Sequence, residues 1–236
     1  MSTPNADDFV FTFPAPRARD PTPRFDVKPS ITISSATEQD LPAIAEGQWA
    51  AFGEGVFTVI EPPHIRAPHP ERVSRTVHRL RAVLNSPHTK LDKACLPDGT
   101  LVGVAMWHVP GAPIRHVGQR DASNEHTEQD RDAWEGVDLR AWKAWHGGES
   151  ETRKRVMGSQ THWYLAPLWV LPEYQGLGIG TKLIKHVIGI ADVSTPPMPM
   201  YLEAAPNARP IYESLGFEWV EGIVLVRNAP SKSVSA

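Results

Sequence analysis

Gln175-Gly176-Leu177-Gly178-Ile179-Gly180-Thr181-Lys182 is the stretch on which the fold turns. It stands between a β-prone run, His162 to Leu171, and a helical stripe of Leu183, Ile184, Val187, Ile188 and Ala191. A glycine-rich strand-to-helix turn exposes several backbone N–H groups at the positive end of the helix dipole, which suits a phosphate-bearing ligand. Two nucleotide motifs fail on spacing. A Walker loop needs Gly-Lys-Ser/Thr, whereas the order here is Gly180-Thr181-Lys182. A dinucleotide fingerprint needs a glycine three places after Gly178, where Thr181 stands.

Working outward, Pro167 inside the preceding run lacks an amide hydrogen, so that strand must carry a bulge or an edge. Downstream, Met200 to Ala204 reads as a buried strand. Ala208 to Leu215 reads as a short helix closed by Gly216, and Phe217 to Val226 as a last strand or hairpin. Upstream, Ser30 to Ser34 alternates as a strand. Thr37-Glu38-Gln39-Asp40 resembles a capping box for a helix with Leu41, Ile44, Ala45, Trp49 and Phe52 on its apolar face. Pro70 opens a second helix carrying Val73, Val77, Leu80 and Leu84, whose Arg72, Arg75, Arg79 and Arg81 read as a solvated face. Pro97-Asp98-Gly99 joins Lys90–Leu96 to Leu101–Val109 as a hairpin.

From about 111 to 160 the chain is highly charged and too long for a plain loop, which predicts a helical insertion. Its Trp134, Trp142 and Trp145 are spaced to share one helical face, either docking the insertion or lining a pocket. Residues 1–29, with six prolines and no period, read as an arm, and 228–236 as a flexible tail. The order of elements over 30–227 predicts one mixed α/β domain.

Composition narrows the function. With 236 residues, 41% hydrophobic and 22% charged, the chain can build one substantial core and is neither collagen-like nor wholly disordered. Lys and Arg total 24 against 27 Asp and Glu, so no overall basic field selects nucleic acid or an anionic membrane. The single cysteine, Cys95, excludes an internal disulfide and a Cys-rich zinc site. No stretch reaches the roughly 18 apolar residues of a membrane span. Nor does the N-terminus resemble a signal peptide, so the expected address is cytoplasmic. None of the histidines has metal-ligand spacing, and no metal is predicted.

The glycine stretch also has the Gln/Arg-x-x-Gly-x-Gly form of the GCN5-related N-acetyltransferase (GNAT) superfamily. Leu168-Trp169-Val170-Leu171-Pro172-Glu173-Tyr174 resembles the family's strand end, and Ile211-Tyr212-Glu213-Ser214-Leu215-Gly216-Phe217 resembles its Leu-Tyr-x-x-x-Gly-Phe ending. The three motifs fall in order over roughly residues 160 to 222. His162 to Leu165 and Leu202 to Ala204 are similar to puromycin N-acetyltransferase-like and fungal small-molecule members. The resemblance implies a mostly antiparallel sheet with splayed central strands flanked by helices. It also implies acetyl-CoA as cofactor and an amine as acceptor, and the sequence favours a small molecule. A protein- or peptide-modifying enzyme and a catalytically silent acyl-CoA-binding module stand as alternatives, and the chain is expected to be a monomer or homodimer.

By that resemblance, the backbone of Leu168, Trp169 and Val170 would hold the pantetheine arm. Gln175, Gly176, Leu177, Gly178, Ile179 and Gly180 would grip the pyrophosphate, with Thr181 and Lys182 as further contacts. Tyr212 would protonate the departing sulfur. The family's cofactor-side Asn corresponds to Ala205, with Asn207 close by as a substitute. The family's fungal acid corresponds to Ala166, which carries no carboxylate. Deprotonating an amine with a pKa near 10.4 calls for a base. Glu203, a carboxylate on an apolar strand, is the first candidate, with a structural hydrogen bond as the other reading. His162 and Tyr164, on one strand face, follow.

Overall fold

A computed structural model describes residues 28–114 and 118–230; most of the proline-rich arm and the end of the tail lie outside the described residues. Thr32–Ser35 forms strand β1. The Thr37 backbone N–H and hydroxyl then both donate to the Asp40 carboxylate, at 2.7 and 2.8 Å, fixing the entry to α1 (Leu41–Ile60). The apolar period of the sequence stops at Phe52, yet the helix runs on through a kink at Gly53, whose φ of +62° a side chain would oppose. α2 (His69–Leu84) opens with Pro70 in its first turn. β2 (Thr89–Cys95) and β3 (Leu101–His108) form the expected hairpin, with Gly99 at φ +89° in the turn.

Between β3 and β4 (Trp163–Val170) lie two helices, α3 (Glu128–Asp132) and α4 (Leu139–Met157), the second started by the Asp138 carboxylate accepting from the N–H groups of Arg140 and Ala141. α5 (Ile179–Val193), β5 (Met200–Glu203), α6 (Arg209–Glu213), β6 (Glu218–Glu221) and β7 (Val224–Arg227) complete the chain. The seven strands run β1-β2-β3-β4-β5-β7-β6, every neighbouring pair antiparallel except β4 with β5. This is the mixed α/β domain that the order of elements predicts, with the mostly antiparallel sheet flanked by helices that the family resemblance implies.

Each face of the sheet is closed by a helical layer. On one, Leu183, Ile184, Val187 and Ala191 of α5 are buried against Val102, Leu165 and Leu202. On the other, Leu41 and Ile44 of α1 and Val83 of α2 pack on Val104, Met106 and Trp169, while Met157 of α4 packs on Tyr164 and Tyr201. Gly47 of α1 makes this fit possible, because a Cβ there would lie 2.2 Å from the Trp169 indole.

One expectation is overturned. Arg72 and Arg79 are not solvated: they pair with the buried Glu61 at the end of α1, at 2.9 and 3.3 Å, and Arg72 stacks 3.7 Å over Trp49. A carboxylate distant in sequence draws one edge of the arginine stripe inside, since a buried charge is tolerable only when paired. Arg81, on the other edge, keeps the solvated character and reaches only the exposed Glu38.

Candidate active site

β4 and β5 hydrogen-bond only where Trp163, Tyr164 and Leu165 face Met200, Tyr201 and Leu202. Beyond Leu165 the strands part. The cause is local: pairing with β3 runs from Trp107↔Leu165 to Ala105↔Leu168, so β4 carries one extra residue at Ala166-Pro167. The extra residue also reverses the side-chain alternation, which is why Leu165 faces α5 while Trp169 faces α1.

Register decides which backbone groups enter the gap. The Leu171 N–H donates to Val102, making Leu171 and Trp169 the hydrogen-bonded partners of β3. Leu168 and Val170 therefore turn their N–H and C=O groups toward the parted side, and the Gln175 side chain donates to the Val170 carbonyl at 3.0 Å. This corrects the expectation for Trp169, whose backbone is engaged with β3 and whose side chain fills the core.

The glycine turn leads directly into α5. Gly176 and Gly178 have φ of +79° and +83°, a Cβ on either would point into open space, and no side chain caps the helix. Ile179, Gly180 and Thr181 consequently present first-turn N–H groups free of intrahelical partners, with Lys182 the first to bond back, to Gly178. Gly180 lies over Leu168, so the turn abuts the open end of the gap. Glycine backbone, uncapped N–H groups and the helix dipole fit a phosphate-bearing ligand.

At the closed end of the gap stands Glu203, the last residue of β5. Tyr164 and Tyr201 donate their hydroxyls to its two oxygens, at 2.9 and 2.7 Å. Burial pushes this carboxyl up from 4.5 to about 7, and Glu149 adds to the rise; the two tyrosine hydrogen bonds and Arg153 oppose it. Burial also raises Tyr164 well above an ordinary phenol, so it stays protonated and acts as a donor to Glu203 rather than as a base. His162 is buried behind Tyr201, its Nδ1 2.6 Å from the Gln160 carbonyl, and does not line the cavity.

A cavity of about 1200 Å³ runs through the site. It brings together Glu203, Tyr164, Leu168, Trp169, Asn207 and Tyr212, while Gln175 to Lys182 lie outside its lining. Tyr212, on α6, is buried edge-on against Phe217, and burial pushes its hydroxyl up to about 12. Asn207 is exposed at the rim, between β5 and α6. The three tryptophans of the 111–160 segment all line the chamber. They do not share a helical face: Trp134 lies before α4 and meets Trp142 edge-on at 5.4 Å, with Arg79 about equally close to both rings.

Sequence reasoning missed the polar contribution of α4. His146, Glu149 and Arg153 follow Trp142 and Trp145 along one side of that helix. Glu149 accepts from Trp145 Nε1 at 2.5 Å and from His146 Nδ1 at 2.8 Å; since a carboxylate cannot donate, the imidazole proton must sit on Nδ1. Arg153 is buried, its guanidinium 4.3 Å over the Tyr164 ring and bonded to the Pro113 and Ile114 carbonyls. The three-and-four spacing of these residues was the available signal.

Comparison with known proteins agrees with this architecture. Residues 142–228, from α4 to the last strand, match the family model described as acetyltransferase (GNAT) domain. An uncharacterized N-acetyltransferase of Schizosaccharomyces pombe is 27% identical over 150 residues, covering 55% of this chain and 53% of that protein. The chain thus spans about half the length of this curated relative. A solved structure from Corynebacterium glutamicum, described as histone acetyltransferase and related acetyltransferase, superposes with a TM-score of 0.51 at 21% identity. It covers 87% of this chain and 99% of its own, and shares the fold.

Proposed function

We propose that the chain is an acetyltransferase of the GNAT superfamily, whose domain model it matches over residues 142–228, and that it transfers an acetyl group from acetyl-CoA to the amine of a small molecule. The observation that carries this reading is the position of Glu203. It is a carboxylate poised near neutrality at the closed end of the strand gap, facing a cavity roofed by α4 and its tryptophans. A roofed chamber suits a small acceptor better than an extended peptide, which needs an open groove.

When bound, acetyl-CoA supplies an acetyl group on a sulfur that leaves as thiolate. The chain's residues do the rest. The N–H groups of Leu168 and Val170 hold the arm and its carbonyl, and the N–H groups of Ile179, Gly180 and Thr181 hold the phosphates. Glu203 accepts the proton of the acceptor nitrogen as the N–C bond forms; near pH 7 it is both partly ionised and basic enough to do so. The C–S bond breaks in the same exchange. Tyr212, protonated far above neutrality, offers its hydroxyl hydrogen bond to the charge on sulfur. A thiol ionises at about 8.5, below Tyr212, so the phenol stabilises this charge without surrendering its proton outright.

Calorimetry with coenzyme A, combined with thiol release from acetyl-CoA across a panel of amines, tests the proposal. Cofactor binding with amine-dependent release supports it. Tight cofactor binding with no release from any amine would instead assign a silent acyl-CoA-binding module, and release only with peptides a protein acetyltransferase.

A further inference from the structure

Among the further carboxylates that line the cavity beside Glu203, Glu149 has no role in the proposed reaction. Glu149 on α4 and Glu203 on β5 line the same cavity, and among the described residues neither is within ion-pair distance of a lysine or arginine. Arg153 acts on both carboxylates through space, but its Nη2 donates to the Pro113 and Ile114 carbonyls and its guanidinium lies 4.3 Å from the Tyr164 ring centroid, so it makes no ion pair with either. Each Glu149 oxygen accepts one hydrogen bond, from Trp145 or from His146, and keeps a further lone pair. These donors fix the position of the carboxylate. The surrounding wall is flat and aromatic: Trp142, Trp145, His146 and Tyr164, with the Trp142 ring 4.8 Å from His146.

Two carboxylates, neither in ion-pair contact with a lysine or arginine among the described residues, in an aromatic chamber form an environment for a cation with an apolar body. We infer that Glu149 and Glu203 together form an ammonium-recognition site, and that the acceptor is a cationic arylalkylamine lacking an α-carboxylate, its ring against Trp142 and Trp145. An amino acid with the same side chain would bring its own carboxylate against Glu149 and be repelled. The division of labour follows from position. Glu149 holds the entering ammonium, which gives one proton to water before it attacks, and Glu203 takes the second as the N–C bond forms. Consistent with this closeness, Glu149 is the main charge raising the Glu203 carboxyl.

This inference rests on the acceptor amine entering the Glu203 end of the chamber, and it is tested by binding rather than by turnover. Calorimetry on the full chain would compare three probes: tryptamine, its neutral analogue tryptophol, and tryptophan. Tryptamine should bind at least tenfold more tightly than either of the others. Glu149→Gln should erase most of the preference for tryptamine over tryptophol while leaving tryptophol affinity unchanged, whereas Trp142→Ala should weaken both alike. Equal binding of tryptamine and tryptophol to the wild-type protein would overturn the inference, even if no variant folded. A cation preference retained by Glu149→Gln would overturn it as well. Tryptamine binding with the cation preference but no thiol release would leave the recognition site standing and remove the acetyl-transfer reading. Thiol release without any cation preference would do the reverse.

Discussion

Replacing Glu203 by glutamine keeps the shape of the side chain and removes the carboxylate proposed to take the proton of the acceptor nitrogen. Moving the carboxyl from 4.5 to about 7 corresponds to about 3 kcal/mol of difference between its protonated and ionised forms in the folded protein. Two consequences follow, with opposite signs. For activity, kcat/KM of the wild-type enzyme should climb through an inflection near pH 7 as Glu203 ionises. Glu203→Gln should lose about 10² to 10⁴ of that rate together with the inflection. For stability, the folded carboxyl is raised above its unfolded value, so the folded state binds more protons between 4.5 and about 7 and loses stability as pH rises across that window. Glutamine does not titrate. The variant's stability relative to wild type should therefore improve on going from pH 4 to pH 8, by up to about 3 kcal/mol. Thiol-release kinetics and denaturant unfolding at both pH values measure the two effects on one pair of proteins. An inflection near pH 7 surviving in Glu203→Gln would refute the assignment of the base. A stability difference independent of pH would refute the buried, raised carboxyl.

Other sites give separable outcomes. Tyr212→Phe should keep coenzyme A affinity within a factor of about two by calorimetry and lower kcat about 10- to 100-fold, the worth of one hydrogen bond to developing charge. Gly178→Val should bind coenzyme A at least tenfold more weakly. Its fold should lose only about 1 to 2 kcal/mol in denaturant unfolding, because φ is +83° there yet no atom obstructs a Cβ. Gly47→Ala, far from any reacting atom, should lower stability by about 1 to 3 kcal/mol despite its better helix propensity, since the new methyl must displace the Trp169 indole. Arg72→Ala should cost about 3 to 5 kcal/mol, with Arg72→Met less damaging because methionine still covers Trp49.

The sequence by itself determined the order of elements and the uncapped glycine turn ahead of α5. Those signals are local: a glycine run between strand and helix, a proline that must disturb its strand, a turn at Pro97-Asp98-Gly99, and the helical period of Leu183 to Ala191. Backbone conformation and short-range periodicity leave such marks because the residues that cause them are neighbours in the chain. Only the tertiary structure decided what Glu203 experiences. Tyr201 stands two residues away on the same strand, but Tyr164 and Glu149 come from other elements, and burial among them raises the carboxyl. The same holds for Glu61, which drew Arg72 and Arg79 inward, and for the one-residue bulge, which turned Trp169 away from the gap. Pairing and desolvation depend on what is packed alongside, and no linear spacing encodes that.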